Sequence, residues 1–182
     1  ELVDWKIAGP KKSWWYKIQM FNTEHHAGPM LYFDLDTVIL RNIDWMWQQS
    51  LTKFWTVKDF KHLYRPSFTG MNSSIMWWDT RAYSWIWDDF HKEPLSNTIR
   101  RFPGDQDYLT NRLGPDAIRF FDTKSVKSWR WECFNGGYDF NRRRWHNPGI
   151  GTHVDAHTSV LVFHGKPKPH ETTDPLIKQY WQ

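Results

Sequence analysis

An apolar segment interrupted by two carboxylates, LYFDLDTVIL at residues 31–40, constrains the fold of this chain more than any other feature. Side chains of a β-strand alternate between its faces, so the spacing of Asp34 and Asp36 predicts that both carboxylates leave the same face. Burying two neighbouring negative charges costs free energy unless a cation lies between them. One interpretation is a divalent metal held by oxygen ligands at the carboxyl end of a strand. The other is an exposed strand end with two solvated aspartates, because this short spacing is common by chance.

The composition fits one globular domain. The chain has 182 residues, of which 40% are hydrophobic and 18% aromatic, enough for a packed core. We therefore treat residues 1–182 as a single domain. The 14 tryptophans are far above ordinary usage. They indicate an aromatic core, sugar-stacking surfaces or both, and most of them are assigned to the core.

Charge and cysteine content limit the classes of partner. A net charge of +4 suits a phosphate-bearing ligand, but the basic residues are too scattered to predict nucleic-acid binding. Cys133 is the only cysteine, which excludes an intrachain disulfide and favours a cytoplasmic location. No run of about 18 apolar residues and no signal-peptide pattern occurs, so no membrane span is predicted. A start at Glu1, without Met, is typical of a processed or excised piece.

The pattern of apolar residues predicts alternating helices and strands, which is the α/β class. Ser13 is expected to cap a helix running to about His25, with Trp14, Ile18 and Phe21 on one face. The other expected elements are a strand at 30–35, a short helix at 44–50, a loop entering a strand within 67–78, a helix from Asp79 to about Lys92, a connector at 94–104, a helix capped by Asp105 and running to about Leu113, strands at 117–121 and 159–163, and a long loop at 135–152.

Two polar segments lie where a strand and a helix begin. Asn72–Ser74 enters a strand, and its short polar groups suit either the binding of ligand hydroxyls or ordinary turn formation. Gly104–Asp107 opens a helix, where an aspartate commonly acts as a cap for stability alone. Its three polar side chains also suit hydrogen bonding to a polyol.

Basic and aromatic residues are concentrated in the second half of the chain. His164–Pro169, HGKPKP, follows a predicted strand, and ligands of open α/β sheets bind at the carboxyl ends of strands. It offers an imidazole as a third metal ligand and two lysines for phosphate, or it is a solvated basic turn. Arg142–Arg144 favours a solvated face over a mobile flap or an acceptor contact. Trp129, Trp131 and Trp145 either stack on sugars or pack internally.

Five segments occur in a fixed order, namely SWWYK, LYFDLDTVIL, MNSSIMWW, GDQDYL and FHGKPKP. This order resembles that of the GT-A glycosyltransferases, most closely the bacterial and viral enzymes similar to the glycogenin and lipopolysaccharide galactosyltransferase group. The resemblance spans residues 13–170 and implies a mixed central sheet flanked by helices. Only 12 residues precede Ser13. Most of the family's N-terminal unit for the uracil and ribose is therefore expected to be absent, which gives a reduced or truncated fold.

The resemblance assigns a metal site and a donor contact. Asp34 would approach the ribose and the metal, Asp36 would ligate the metal, and His164 matches the family's C-terminal histidine ligand. A mixed carboxylate and imidazole site suits Mn²⁺ better than Mg²⁺. Lys17 matches a basic residue that faces the donor.

The resemblance also assigns contacts to the sugar and the diphosphate. Asn72 and Ser73 match the segment that touches the donor sugar, and Lys168 matches the lysine that pairs with the diphosphate. The closing segment is compressed relative to the family, so Lys166 competes with Lys168 for this role. Gly165 of the same segment is a further nucleotide-binding candidate.

Together, the residues and the resemblance predict a metal-dependent glycosyltransferase. It would move a sugar from a nucleotide sugar, expected to be a UDP-sugar, to a hydroxyl of a glycan or another acceptor. The metal would neutralise the charge that develops on the leaving diphosphate. Asp105 and Gln106 match the pair beside the transferred sugar. The resemblance favours retention, although Asp105 or Asp107 is a candidate general base for inversion.

Two other functions stay open on the sequence. FDLDTV resembles the motif of haloacid dehalogenase phosphatases, with Asp34 as nucleophile and Asp36 as general acid or base. Against this, a Trp-rich helix precedes the motif, the acidic spacing in GDQD is too short, and HGKPKP has no role. The second alternative is a non-catalytic carbohydrate-binding module with a structural metal. For a transferase, loops at 53–68 and 135–152 are expected to form the acceptor pocket.

Overall fold

The computed structural model describes residues 13–181, and the side chain of Ser13, predicted to be a cap, lies outside that description. The strands in this range are β1 (Pro29–Phe33), β2 (Thr37–Ile39), β3 (Phe54–Lys58), β4 (Met71–Asp79), β5 (Ile118–Phe120), β6 (Val126–Ser128), β7 (Tyr138–Asp139), β8 (Arg144–Trp145) and β9 (Val160–Val162). The α-helices are α1 (Asp44–Trp47), α2 (Thr80–Tyr83), α3 (Trp85–His91), α4 (Leu95–Arg101), α5 (Asp105–Ala117) and α6 (Pro175–Tyr180). Tighter 3-10 helices cover Ser13–Phe21, Phe60–Leu63 and Pro169–Glu171, and a π-helix covers Trp129–Cys133. Within residues 13–181, no helix has the length and apolarity needed to cross a lipid bilayer.

A mixed four-stranded sheet in the order β1-β4-β3-β5 forms the centre of the fold. β4 is antiparallel to both of its neighbours, whereas β5 is parallel to β3. A second sheet has the order β2-β9-β6, and β7 and β8 form a hairpin. Helices pack against these strands, so the predicted α/β class with a mixed sheet is confirmed.

The core lies on both faces of β4. Met76 and Trp78 belong to one apolar cluster, and Ile75 and Trp77 belong to another, as the alternation of side chains along a strand requires. On the first face, the ring of Trp78 stacks on Phe21 at a centroid distance of 5.1 Å. Most described tryptophans belong to the core or pack against it, as predicted: Trp15, Trp77, Trp78 and Trp129 are buried, and Trp45, Trp55, Trp87, Trp131 and Trp181 are partly buried.

The N-terminal helix differs from the expected one in type and length. It is a 3-10 helix that ends at Phe21, four residues before His25. A 3-10 helix has three residues per turn, which places Trp15, Ile18 and Phe21 on one line, and all three are fully buried. Trp14, which the α-helical period placed on this face, is 41% exposed.

Several other helices and strands begin and end at residues different from those expected, because tertiary packing and local turns override sequence patterns. The helix expected from Asp79 to Lys92 is divided into α2 and α3, and the expected connector at 94–104 contains α4. Gly104, rather than Asp105, occupies the N-cap position of α5, and α5 continues past a left-handed break at Gly114 (φ 68°). The expected loops at 53–68 and 135–152 contain β3 and the β7-β8 hairpin.

Thr80 fixes the entry to β1. Its buried hydroxyl accepts a hydrogen bond from the N–H of Gly28 at 2.8 Å and lies 2.9 Å from the carbonyl oxygen of His26. We expect Thr80→Val to lower the free energy of unfolding by about 2 kcal/mol, because the isosteric change leaves a buried backbone N–H without this acceptor. Urea denaturation measures the loss. The exposed Thr123→Val is the matched control, and equal midpoints for both variants would contradict the prediction.

Cys133 should be chemically inert in the folded protein. The side chain is buried, and burial raises the pKa of its thiol to about 12. At pH 8 the reactive thiolate is therefore scarce and the sulfur is inaccessible. We expect no reaction with Ellman's reagent in native buffer and release of one equivalent of chromophore in denaturant. Rapid reaction of the native protein would show that this region opens.

Candidate active site

A pocket of about 950 Å³ opens beside the carboxyl end of β1. This volume is in the range of ligand-binding pockets in proteins. Its walls come from the N-terminal 3-10 helix, the turn after β1, the segment 168–170 and the C-terminal end of the described chain. The lining residues are Trp14, Tyr16, Lys17, Gln19, Met20, Tyr32, Asp34, Leu35, Asp36, Lys168, Pro169, His170 and Trp181.

The paired aspartates lie on a turn and not on a strand face. β1 ends at Phe33, and residues 34–36 form the turn that leads into β2. The N–H of Asp34 donates to the carbonyl oxygen of Ser74 at 2.7 Å. The N–H of Phe163 donates to the carbonyl oxygen of Asp36 at 2.9 Å. These bonds hold the turn while Leu35, at its tip, is 91% exposed. Both carboxylates nevertheless line the same pocket.

Lys17 connects three of the predicted site residues. Its Nζ lies 2.8 Å from Oδ1 of Asp34, donates to Oγ of Ser73 at 3.1 Å and lies 3.7 Å from Oδ2 of Asp105. The hydroxyl of Tyr32 donates to Oδ1 of Asp34 at 2.6 Å. Burial, followed by the neighbouring Asp34 carboxylate, raises the pKa of Tyr32, so this hydroxyl keeps its proton. Lys17, predicted to face the donor, lines the pocket, and its ammonium is engaged by Asp34.

Asp105 lies behind Lys17 at the start of α5. It is 4% exposed, and its Oδ2 accepts a hydrogen bond from the hydroxyl of Ser73 at 2.6 Å. Burial raises the pKa of Asp105, and the Lys17 ammonium and the Ser73 hydroxyl act in the opposite direction. Gly104 precedes it at a close approach, since a Cβ there would lie 3.3 Å from Nε1 of Trp14. Asp105 is thus a buried member of the network and does not line the pocket itself.

The structure separates the two lysines of the closing segment. Nζ of Lys168 forms a short contact with the carboxylate of Asp36, and Lys168 lines the pocket. Lys166 is 84% exposed and lies 3.5 Å from Oε1 of Glu171, outside this pocket. Gly165, which precedes both lysines, has a left-handed φ of 79°. Lys168, and not Lys166, is therefore the lysine of this segment that lines the pocket.

His164 is not brought to the two aspartates. Its Nε2 lies 2.6 Å from Oγ of Ser128, and its ring stacks on Phe60 at a centroid distance of 5.2 Å. Burial, with a smaller effect from Arg130, lowers the pKa of His164 to about 4. The imidazole is therefore neutral at physiological pH and is used in packing.

Asn72 and Gln106 are not among the residues that line the pocket. Oδ1 of Asn72 accepts from the N–H of Ser74, which forms a local turn at the start of β4. Nε2 of Gln106 donates to Oδ2 of Asp59 at 3.2 Å. Asp59, a buried carboxylate just after β3, was missed by sequence reasoning because it lies in a segment interpreted as a loop. The only available signal was a single aspartate after the apolar run FWTV.

The positions of Asp34, Asp36 and His164 determine how much of the predicted divalent metal site is formed. Asp34 and Asp36 supply oxygen donors that hard divalent cations accept, and both line one pocket. Ammonium groups from Lys17 and Lys168 compensate them here. Among residues 13–181, no group of three or more His, Cys, Asp or Glu side chains is arranged to hold a metal. The aspartate pair fits a cation, whereas the predicted three-residue set with His164 is not assembled.

Solved structures share this fold, although neither a family model nor a curated protein matches the sequence. An active-site mutant of LgtC superposes with a TM-score of 0.59 at 10% identity, covering 91% of this chain. The galactosyltransferase LgtC in complex with donor and acceptor sugar analogs gives 0.57 at 12% identity, also over 91%. The chain therefore has the GT-A glycosyltransferase fold. The bifunctional glycosyltransferase WbbM gives 0.55 at 10% identity over 96% of the chain.

The GT-A resemblance predicted from the five segments is thus confirmed for the fold. The chain spans 64% of the length of the LgtC chains and 38% of the WbbM chain. The phosphatase and carbohydrate-module interpretations receive no support from these neighbours.

Proposed function

We propose that this protein transfers a sugar from a nucleotide sugar, most simply a UDP-sugar, to a hydroxyl of a glycan acceptor. One observation carries the proposal: in a GT-A fold, two aspartates and two lysines from distant segments line one pocket at the carboxyl end of β1. The pocket volume suits a nucleotide sugar.

The charge balance of the pocket supports a cation together with the donor. Asp34, Asp36 and Asp105 contribute three carboxyl groups, and Lys17 and Lys168 contribute two ammonium groups. Even with Asp105 protonated, these groups have no net positive charge. A diphosphate carries at least two negative charges, so binding it here requires added positive charge. A divalent cation on Asp34 and Asp36, Mn²⁺ or Mg²⁺, would supply that charge and act as a Lewis acid toward the leaving diphosphate.

The residues of the chain then have separate tasks. Lys168 lies on the rim of the pocket, where it holds a phosphate as a point charge once Asp36 engages the cation. Lys17 keeps Asp34 and Asp105 from repelling each other. In the reaction the bond from the sugar C1 to the phosphate oxygen breaks, a bond from C1 to the acceptor oxygen forms, and the acceptor hydroxyl passes its proton to the leaving phosphate oxygen.

We propose retention of configuration. Inversion needs a carboxylate that reaches the acceptor hydroxyl as a general base. Asp105, the leading candidate, is buried, and its Oδ2 is occupied by Ser73 and lies near Lys17. Gln106 and Asn72 remain proposed contacts to the transferred and donor sugar, with Asp59 orienting the amide of Gln106.

Calorimetry of UDP, GDP and CDP, each with Mn²⁺ or with EDTA, tests the proposal. We expect UDP to bind only with Mn²⁺ and Asp36→Ala to abolish that binding. The matched control is Asp116→Ala, which removes an exposed carboxylate outside the pocket. Absence of binding by all three nucleotides would refute the donor site. Formation of a beryllofluoride adduct on Asp34, which mimics an aspartyl phosphate, would favour the phosphatase instead.

A further inference from the structure

A second pocket of about 610 Å³ lies beside the first, and the segment 166–171 takes part in both. Lys168 and His170 line the first pocket, whereas Lys166, Pro167 and Glu171 line the second. A ligand in the second pocket therefore contacts the same segment that brings Lys168 to the proposed donor site.

One wall of the second pocket is held in a fixed shape. The Oδ1 atom of Asn135 accepts hydrogen bonds from the N–H groups of Gly149 and Gly151, at 3.2 Å and 3.1 Å. Gly151 has a positive φ of 76°, and a Cβ there would lie 3.0 Å from Oδ2 of Asp174. Such a wall is preformed, which reduces the entropy cost of binding.

An aromatic surface adjoins this wall. Trp145, on β8, is partly buried and packs edge-on against Phe134 at 5.3 Å and Tyr138 at 4.8 Å. Neighbouring rings thus fix the indole, which lines the pocket. A fixed indole offers a flat apolar face of the kind on which the C–H face of a sugar ring packs.

Arg130 is the lining charge that lacks a partner within residues 13–181. It is exposed, it forms no ion pair or hydrogen bond there, and its Nη1 lies 3.8 Å from where a Cβ on Gly165 would be. Two basic and two acidic side chains line this pocket, so its lining has no net charge, but both carboxylates and Lys166 are already engaged and Arg130 is not. Asp174 accepts from the N–H groups of Thr152, Leu176 and Ile177, and Glu171 accepts from the N–H of Lys168 and pairs with Lys166.

We propose that the second pocket binds an acidic sugar unit, one that carries a carboxylate or a phosphate group. The ring packs on Trp145, and the guanidinium of Arg130 pairs with the anionic group, for which its planar donors are suited. Resting on the proposed function, we assign this unit to the acceptor glycan, at a position other than the reacting sugar.

Calorimetry of the full chain with glucuronic acid, glucose 6-phosphate and glucose tests this assignment. We expect one or both acidic sugars to bind at least about tenfold more tightly than glucose, and the two titrations show which anion is preferred. Arg130→Gln should remove that preference, Arg130→Lys should retain part of it, and Trp145→Ala should weaken all three sugars. Asp116→Ala, an exposed change outside both pockets, should leave sugar binding unchanged. Equal affinity for glucose, or unchanged binding in Arg130→Gln, would overturn the proposal.

Titration of UDP with Mn²⁺ on the same samples tests the second pocket and the proposed glycosyltransferase function separately. Nucleotide binding without sugar binding would overturn the second pocket alone. Sugar binding without nucleotide binding would keep the pocket and defeat the donor site. Thermal melts of Arg130→Gln and Trp145→Ala confirm that a loss of binding is not a loss of folding.

Discussion

Replacing Lys17 with methionine is expected to destabilise the protein by about 3 kcal/mol at pH 8 and to abolish nucleotide binding. The ammonium lies within 3.7 Å of both Asp34 and Asp105, and its side chain is 12% exposed. Removing one partner of a buried ion pair leaves an uncompensated buried charge, which costs several kcal/mol. The side-chain volume is nearly conserved, so packing contributes little to the loss. Urea denaturation with calorimetry of UDP and Mn²⁺ measures both effects.

The pH dependence identifies the cause of this loss. Lys17 lowers the pKa of Asp105 against the raising effect of burial, so the pKa of Asp105 rises further in the variant. The folded variant then binds a proton more readily than the unfolded chain does. Its stability falls as pH rises through the ordinary carboxyl pKa of about 4 toward the raised value. The deficit relative to wild type should therefore be smaller at pH 5 than at pH 8.

Two variants serve as controls for Lys17→Met. Adding Asp105→Asn removes the uncompensated charge and should restore part of the stability. Lys124→Met makes the same change at an exposed position and should leave both stability and UDP binding unaltered. A deficit that is independent of pH and is not relieved by Asp105→Asn would mean that Lys17 acts through packing alone.

Some features of the pocket depend only on residue type and on order along the chain, and these were predictable from the sequence. The aspartate pair, a lysine in the N-terminal helix and a lysine after the last strand were all named from the sequence, and all line one pocket. The turn at residues 34–36 was not predicted because an apolar run gives no sign of where a strand ends. The 3-10 geometry that buries Trp15 was missed because Ile18 and Phe21 fit either helical period, and the adjacent Trp14 and Trp15 offer an apolar side chain for each.

Side-chain direction could not be predicted from the sequence. His164 follows β9 and has the residue type of a ligand, yet its rotamer is set by Ser128 and Phe60, which lie far away along the chain. Asp59 has no motif around it and gains significance only through Gln106, which is 47 residues away. Such contacts depend on how strands pair and not on any local pattern.

Lys166 and Lys168 illustrate this limit and give the second large prediction. The sequence Lys-Pro-Lys-Pro offers two chemically identical candidates for a phosphate, and only their positions in the folded chain, Lys168 in the first pocket and Lys166 in the second, distinguish them. Lys168→Gln should weaken UDP binding in Mn²⁺ about 30-fold, because a charged hydrogen bond to a ligand contributes about 2 kcal/mol. Lys166→Gln, the matched change, should alter UDP affinity less than about twofold, since this side chain lies outside the donor pocket.

The salt dependence of the two variants separates a phosphate contact from a general effect of charge. A lysine that pairs directly with phosphate is screened less than one acting at long range, so the difference between the variants should persist at high ionic strength. If Lys166→Gln weakens UDP as much as Lys168→Gln does, and salt removes both losses, the closing segment acts as a diffuse basic patch. In that case Lys168 compensates Asp36 in the folded chain without contacting the diphosphate.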